Sequence, residues 1–102
     1  ENLLLTLPVT FAEAALGADI KVPTLSGDDV TVRLAAGTPT GRVLRVKGRG
    51  IKKGAVTGDL LVTVEVQVPR RVEVKAEEAI KAFAAATADH DIRAEFVAKA
   101  KS

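Results

Sequence analysis

Few side chains in this chain could do chemistry, and their spacing serves catalysis poorly. The single histidine, His90, stands between Asp89 and Asp91. Neighbours in sequence do not form a proton relay by themselves, and the chain has no cysteine to act as nucleophile. The two aspartates read better as caps for a following helix. Asp28-Asp29 falls in a turn-like cluster after Ser26-Gly27, where short acidic side chains are expected on conformational grounds. No His, Asp and Glu spacing matches a metal site. Gly48, Gly50 and Gly54 miss the GxGxxG pattern because Lys53 stands where the third glycine belongs, and no βαβ unit surrounds them. The chain reads as non-enzymatic, with no catalytic residues, no metal and no cofactor.

Charge offers a second kind of chemistry. Arg42, Arg45, Lys47, Arg49, Lys52 and Lys53 lie in one run without an acid, whereas the stretch from Lys75 onward balances five bases against five acids. The net charge of +2 is therefore concentrated on one segment. Such a run could neutralise phosphates, which makes a small basic β-domain binding nucleic acid or ribosomal RNA the alternative reading. Single-strand binders interleave aromatic stacking platforms, and no aromatic residue lies between Phe11 and Phe83. A solvated charged face is the better account, and nucleic acid is not expected as a partner.

The elements that would position these groups begin with Leu3 to Gly17. Leu3, Leu5, Leu7 and Val9 alternate with Leu4, Thr6 and Pro8, the period-2 signature of a strand. Thr10 and Glu13 form a capping box that opens a short helix, and Gly17 closes it in the left-handed conformation glycine tolerates. So short a helix is unstable alone and must be a corner piece held by sheets. Ile20–Leu25 reads as a strand, Ser26 to Asp29 as a turn, and Val30, Val32 and Leu34 as the inner face of a return strand. A seven-residue connection, Ala35 to Gly41, leads to a strand over Arg42–Lys47 with Leu44 and Val46 on one side. A flexible loop then runs from Gly50 to Gly58. Asp59–Val68 has the cleanest alternation, with Val62, Val64, Val66 and Val68 together, until Pro69 stops it.

Beyond Pro69 the character changes. Ala76–Ala88 carries seven alanines and a Glu77–Lys81 pair at i, i+4, which predicts a helix. Ile92–Ala100 predicts a second. Their apolar stripes, Ile80 and Phe83 on the first, then Ile92, Phe96 and Val97 on the second, are too apolar to face water. They pack either on the β-body or on a symmetry mate. The expected architecture is mainly β: a small two-sheet β-sandwich with one short corner helix over residues 1–69, followed by a C-terminal helical tail over 70–102.

The bulk properties bound the rest. The 102 residues suit one domain with a modest core, and 47% hydrophobic content without low-complexity tracts argues against disorder. The absence of cysteine fits a reducing compartment. No apolar run approaches the ~20 residues that span a bilayer. The start at Glu-Asn-Leu without an initiator Met suggests a piece of a longer protein.

Five motifs in register, LTLPVTFAEAALG (Leu5 to Gly17), VPTLSG (Val22 to Gly27), GTPTG (Gly37 to Gly41), LRVKGRG (Leu44 to Gly50) and GDLLVTVEVQVP (Gly58 to Pro69), cover about two-thirds of the chain. In this order they resemble the second C-terminal domain of the Hsp40/DnaJ co-chaperones, the peptide-binding β-domain next to the dimerisation tail. Ala36 stands where the family usually has proline, and Lys75 where a Ser or Thr often caps the tail helix. No His-Pro-Asp tripeptide and no Cys-rich module occur, so this stretch cannot itself stimulate an Hsp70 ATPase as the family's J-domain does.

The resemblance implies a cytoplasmic, stress-related chaperone role. The implied partners are a second copy of the chain, unfolded client polypeptides, and Hsp70 through the full-length protein. By analogy, an extended peptide would add to a sheet edge between the first strand and the strand after the short helix, at Leu5, Leu7, Ile20 and Val22. The homodimer interface would use Ile80, Phe83, Ile92, Phe96 and Val97, with the two phenylalanines as anchors.

Overall fold

The alternating leucines form the first strand, β1 (Leu3–Thr10), with Leu3, Leu5, Leu7 and Val9 turned inward. In the computed structural model, which describes residues 1–25 and 27–102, this strand feeds directly into α1 (Phe11–Leu16). The capping box is present: the Thr10 Oγ1 accepts from the Glu13 N–H at 3.0 Å, and the Glu13 carboxylate accepts from the Thr10 N–H at 2.9 Å. Thr10→Ala should therefore lower the stability of the β-unit by ~1 kcal/mol, read as a drop in melting temperature, because one helix N–H loses its acceptor.

Gly17 ends α1, but its conformation differs from the left-handed cap that its position suggested. Its φ of 87° comes with a ψ of 151°, an extended mirror-image region open to glycine alone. The cause is connectivity: β2 (Ala18–Pro23) begins at the next residue, so the chain must leave the helix extended rather than curl over its end. A Cβ at Gly17 would also lie 3.0 Å from the Leu34 carbonyl oxygen.

β2 pairs antiparallel with β3 (Asp29–Leu34), starting two residues earlier than its side-chain pattern suggested. Of the expected turn from Ser26 to Asp29, Ser26 lies outside the described residues. Gly27, at φ 93°, donates its N–H to the Thr24 carbonyl at 3.0 Å. Val30, Val32 and Leu34 are buried and Thr31 and Arg33 exposed, as the alternation required. Asp19 faces Arg33 across the pair, and its carboxylate raises the guanidinium's already high pKa by accepting a hydrogen bond at 3.0 Å. Both side chains are exposed, so this pair adds little to stability.

The connection from Ala35 to Gly41 is the link that holds the corner. The N–H groups of Gly37 and Thr38 bond the Ala14 carbonyl, satisfying the end of α1, and the Thr38 hydroxyl donates to the Ala35 carbonyl within a buried site. Thr40 Oγ1 accepts from the Val66 N–H at 3.1 Å, and the Gly41 N–H reaches the Val64 carbonyl at 2.7 Å. GTPTG is thus a strap tying helix and sheet together.

β4 (Val43–Val46) follows. The expected loop from Gly50 to Gly58 is instead a miniature hairpin, β5 (Lys52–Lys53) with β6 (Val56–Thr57), turned at Gly54 with φ 62°. Strands of two residues are too short to leave an alternation in the sequence. The N–H of Ile51 also bonds the Glu1 carbonyl and that of Gly50 the Gly58 carbonyl, both at 2.9 Å.

β7 (Leu60–Gln67) is the central strand of the larger sheet, in the order β1-β7-β4. It pairs parallel with β1 and antiparallel with β4. Leu60, Val62 and Val64 are almost fully buried, with Val62 at 0% exposure, because this strand has a neighbour on each edge. Val68, expected on the same face, lies beyond the strand's end and is exposed. The core joins β7 to Val9, Ala14, Val22, Val32 and Leu34, so the three-stranded sheet packs with β2-β3 around the corner helix. The mainly-β fold is the expected one.

The contacts divide the chain into two compact units, Glu1–Val68 and Pro69–Ser102. The second contains α2 (Val74–Ala86) and α3 (Ala94–Lys101), each shifted by about two residues from its expected start. Glu73 precedes α2 without a side-chain cap, whereas the Glu77–Lys81 ion pair forms at 3.6 Å.

Candidate functional site

Two features of the β-unit suit an extended ligand. In the sheet order β1-β7-β4, β1 has one strand partner, and β2 has β3 alone, so each presents an edge of backbone donors and acceptors. Pro8 within β1 agrees with that placing, since proline removes a ladder donor and is tolerated at an edge. Leu5, Leu7 and Ile20 pack against the common core yet are only half-buried, which leaves part of each side chain to solvent. Val22 differs. It is 2% exposed, opposite Val30 in the register, and belongs to the core itself. The structure therefore brings the four residues to one core but offers solvent access at three of them.

The corner helix adds apolar surface that the sequence reading did not include. Phe11 and Leu16 are exposed there, beside the ends of β1 and β2. The only signal for them was that a two-turn helix has too few positions to bury every apolar side chain.

The helical unit has the opposite problem from a core. Among the described residues, neither α2 nor α3 contains a buried side chain. Ile80, Phe83, Ile92, Phe96 and Val97 are between 42 and 81% exposed. Ile92 lies in the link before α3 rather than on it. The Thr87 hydroxyl donates to the Phe83 carbonyl at 3.0 Å and ends α2. Asp91 accepts from the Arg93 N–H at 3.2 Å, a local turn leading into α3 and not a bond from within its first turn. His90 Nε2 and Asp89 Oδ1 are 3.8 Å apart and well exposed, with nothing nucleophilic between them.

Among the described residues no group of His, Cys, Asp or Glu could hold a metal ion, and no helix is long and apolar enough to cross a membrane. In the basic segment Arg45 pairs with Asp59 at 3.2 Å and Lys53 with Glu1 at 4.0 Å. Asp59 also accepts from the Gly48 N–H at 2.9 Å, so it anchors the middle of that segment as well as shielding part of its charge.

Comparison with known proteins gives one family over the β-unit. The profile described as the DnaJ C terminal domain matches residues 1–69. The chain is 54% identical over 102 residues to Chaperone protein DnaJ 1 of Streptomyces coelicolor, covering 99% of this chain and 26% of that protein. It is 55% identical over 85 residues to Chaperone protein DnaJ 2 of Corynebacterium glutamicum, covering 83% and 21%. Chaperone protein DnaJ 1 of Mycobacterium leprae shares 52% over 87 residues, covering 84% and 22%. The chain thus spans about a quarter of the length of these relatives.

Proposed function

The chain belongs to the DnaJ C-terminal domain family, and from that premise we propose that it is the dimerising, client-contacting end of an Hsp40/DnaJ co-chaperone. The β-unit binds extended apolar segments of unfolded polypeptide, and the helical unit joins two copies. In the full-length protein the captured client is passed to Hsp70 in the cytoplasm. The observation that carries this reading is the helical unit: Ile80, Phe83, Ile92, Phe96 and Val97 are all exposed, and neither α2 nor α3 contains a buried residue among those described. An exposed apolar stripe of this kind suits burial against a second copy of itself, which is self-complementary.

The mechanism is geometric. An edge strand supplies backbone hydrogen bonds that any sequence can make, which suits diverse clients. Half-buried Leu5, Leu7 and Ile20 supply shallow apolar contacts that favour leucine-like side chains. A twofold dimer presents two such arms to one unfolded chain, so the second contact is effectively intramolecular and avidity rises without new chemistry.

Replacing Leu5 and Ile20 together by Ser should weaken binding of a reduced, alkylated client protein roughly tenfold or more, from the lost apolar area. Fluorescence anisotropy reads the affinity, and circular dichroism confirms that the variant remains folded. Unchanged affinity in a folded double variant would remove these side chains from the binding surface.

A further inference from the structure

A cavity of about 270 Å³ lies in the β-unit between the β2–β3 turn and the segment running from β4 through the β5–β6 hairpin. Thr24 and Leu25 form one wall; Arg49, Lys52 and Thr57 form the other. This volume sits just below the about 300–1,000 Å³ of small-molecule pockets. It suits one or two side chains of a passing peptide better than an enclosed cofactor.

The charges decide what kind of peptide. Arg45 and Lys53 have carboxylate partners, whereas Arg49 and Lys52 have none among the described residues and both line the cavity. Asp28 and Asp29, on the same turn as Thr24 and Leu25, do not line it. A phosphate cradle would need free backbone donors, yet the Gly48 N–H is held by Asp59 and the Gly50 N–H by the Gly58 carbonyl. No aromatic side chain lines the cavity to stack on a base. What remains is a guanidinium and an ammonium, able to make charge-assisted bonds to carboxylates, beside a largely exposed leucine.

The geometry points to a docking site for an extended acidic peptide, whose carboxylates bind Arg49 and Lys52 while a neighbouring apolar side chain rests on Leu25. The site is independent of the β1 and β2 edges and of the helical unit, and it gives the β-unit a second, charge-selective contact.

The test is an amide chemical-shift titration of the isotopically labelled chain with a short peptide alternating Glu and Leu. The expected shifts centre on Thr24, Leu25 and Arg49 through Lys52. The double variant Arg49→Gln, Lys52→Gln should weaken binding roughly tenfold, as should a peptide with Gln for Glu, while Arg42→Gln, outside the cavity, changes it less than about twofold. Matching thermal melts establish that the variants are folded. Shifts scattered over the β-unit, or a double variant that binds as tightly as the parent, overturn the proposal. So does an oligouridylate that binds these residues more tightly than the peptide with a steep salt dependence, which assigns the site to nucleic acid instead.

Discussion

Replacing Phe83 and Phe96 together by Ala is expected to convert a dimer of this chain into a monomer, with a dissociation constant raised about a thousandfold or more. Both rings are half or more exposed within one copy, and neither helix contains a buried residue among those described. In an isologous interface each substitution is made twice. Aromatic anchors at interface centres cost ~2 kcal/mol or more each on truncation. Alanine is the best helix former, so α2 and α3 should persist and the loss be specific to association. Sedimentation velocity over a dilution series reads the change, and a double variant that dimerises like the parent would move the interface elsewhere.

The second large effect is inside the β-unit. Leu60→Ala should destabilise it by ~2–5 kcal/mol, because Leu60 is 2% exposed and lies between Leu3 and Val46 in the register. For a domain whose whole stability is about 5–15 kcal/mol, that is a large share of the total or all of it. Leu61→Ala, one residue further along β7, should cost under ~1 kcal/mol, since its side chain is on the opposite, partly exposed face. Urea denaturation of the two variants measures the contrast. Equal costs, or the reverse order, would mean that β7 is out of register by one residue.

That contrast also shows how far the sequence carried the fold. The inward faces of β1, β3 and β7 were legible because a strand with one buried side writes a period of two, which Leu3 to Val9 and Leu60 to Val66 keep on their inner faces although Leu4 and Leu61 are apolar on the outer ones. The capping box was legible because Thr10 and Glu13 bond within three residues. Pairing was not: Leu5 alternates in the same way whether Val62 lies beside it in a parallel or an antiparallel ladder. The β5–β6 hairpin left no pattern in two-residue strands. Gly17 announced a positive φ, but its ψ depends on where Ala18 must go next.

The candidate site was legible to the same degree. The resemblance pointed to Leu5, Leu7, Ile20 and Val22, but how deeply each is buried depends on the whole core, which takes in Val22 fully and leaves the other three at its margin. The helical stripe was legible through Ile80 and Phe83. The extent of its exposure became visible only with the fold.

The account rests most directly on the association state. Sedimentation equilibrium should be run on the intact chain and on one ending at Val68, where the β-unit ends. A dimer that becomes a folded monomer on truncation is the predicted result, placing the interface in the helical unit. An intact chain that stays monomeric at high concentration would contradict it.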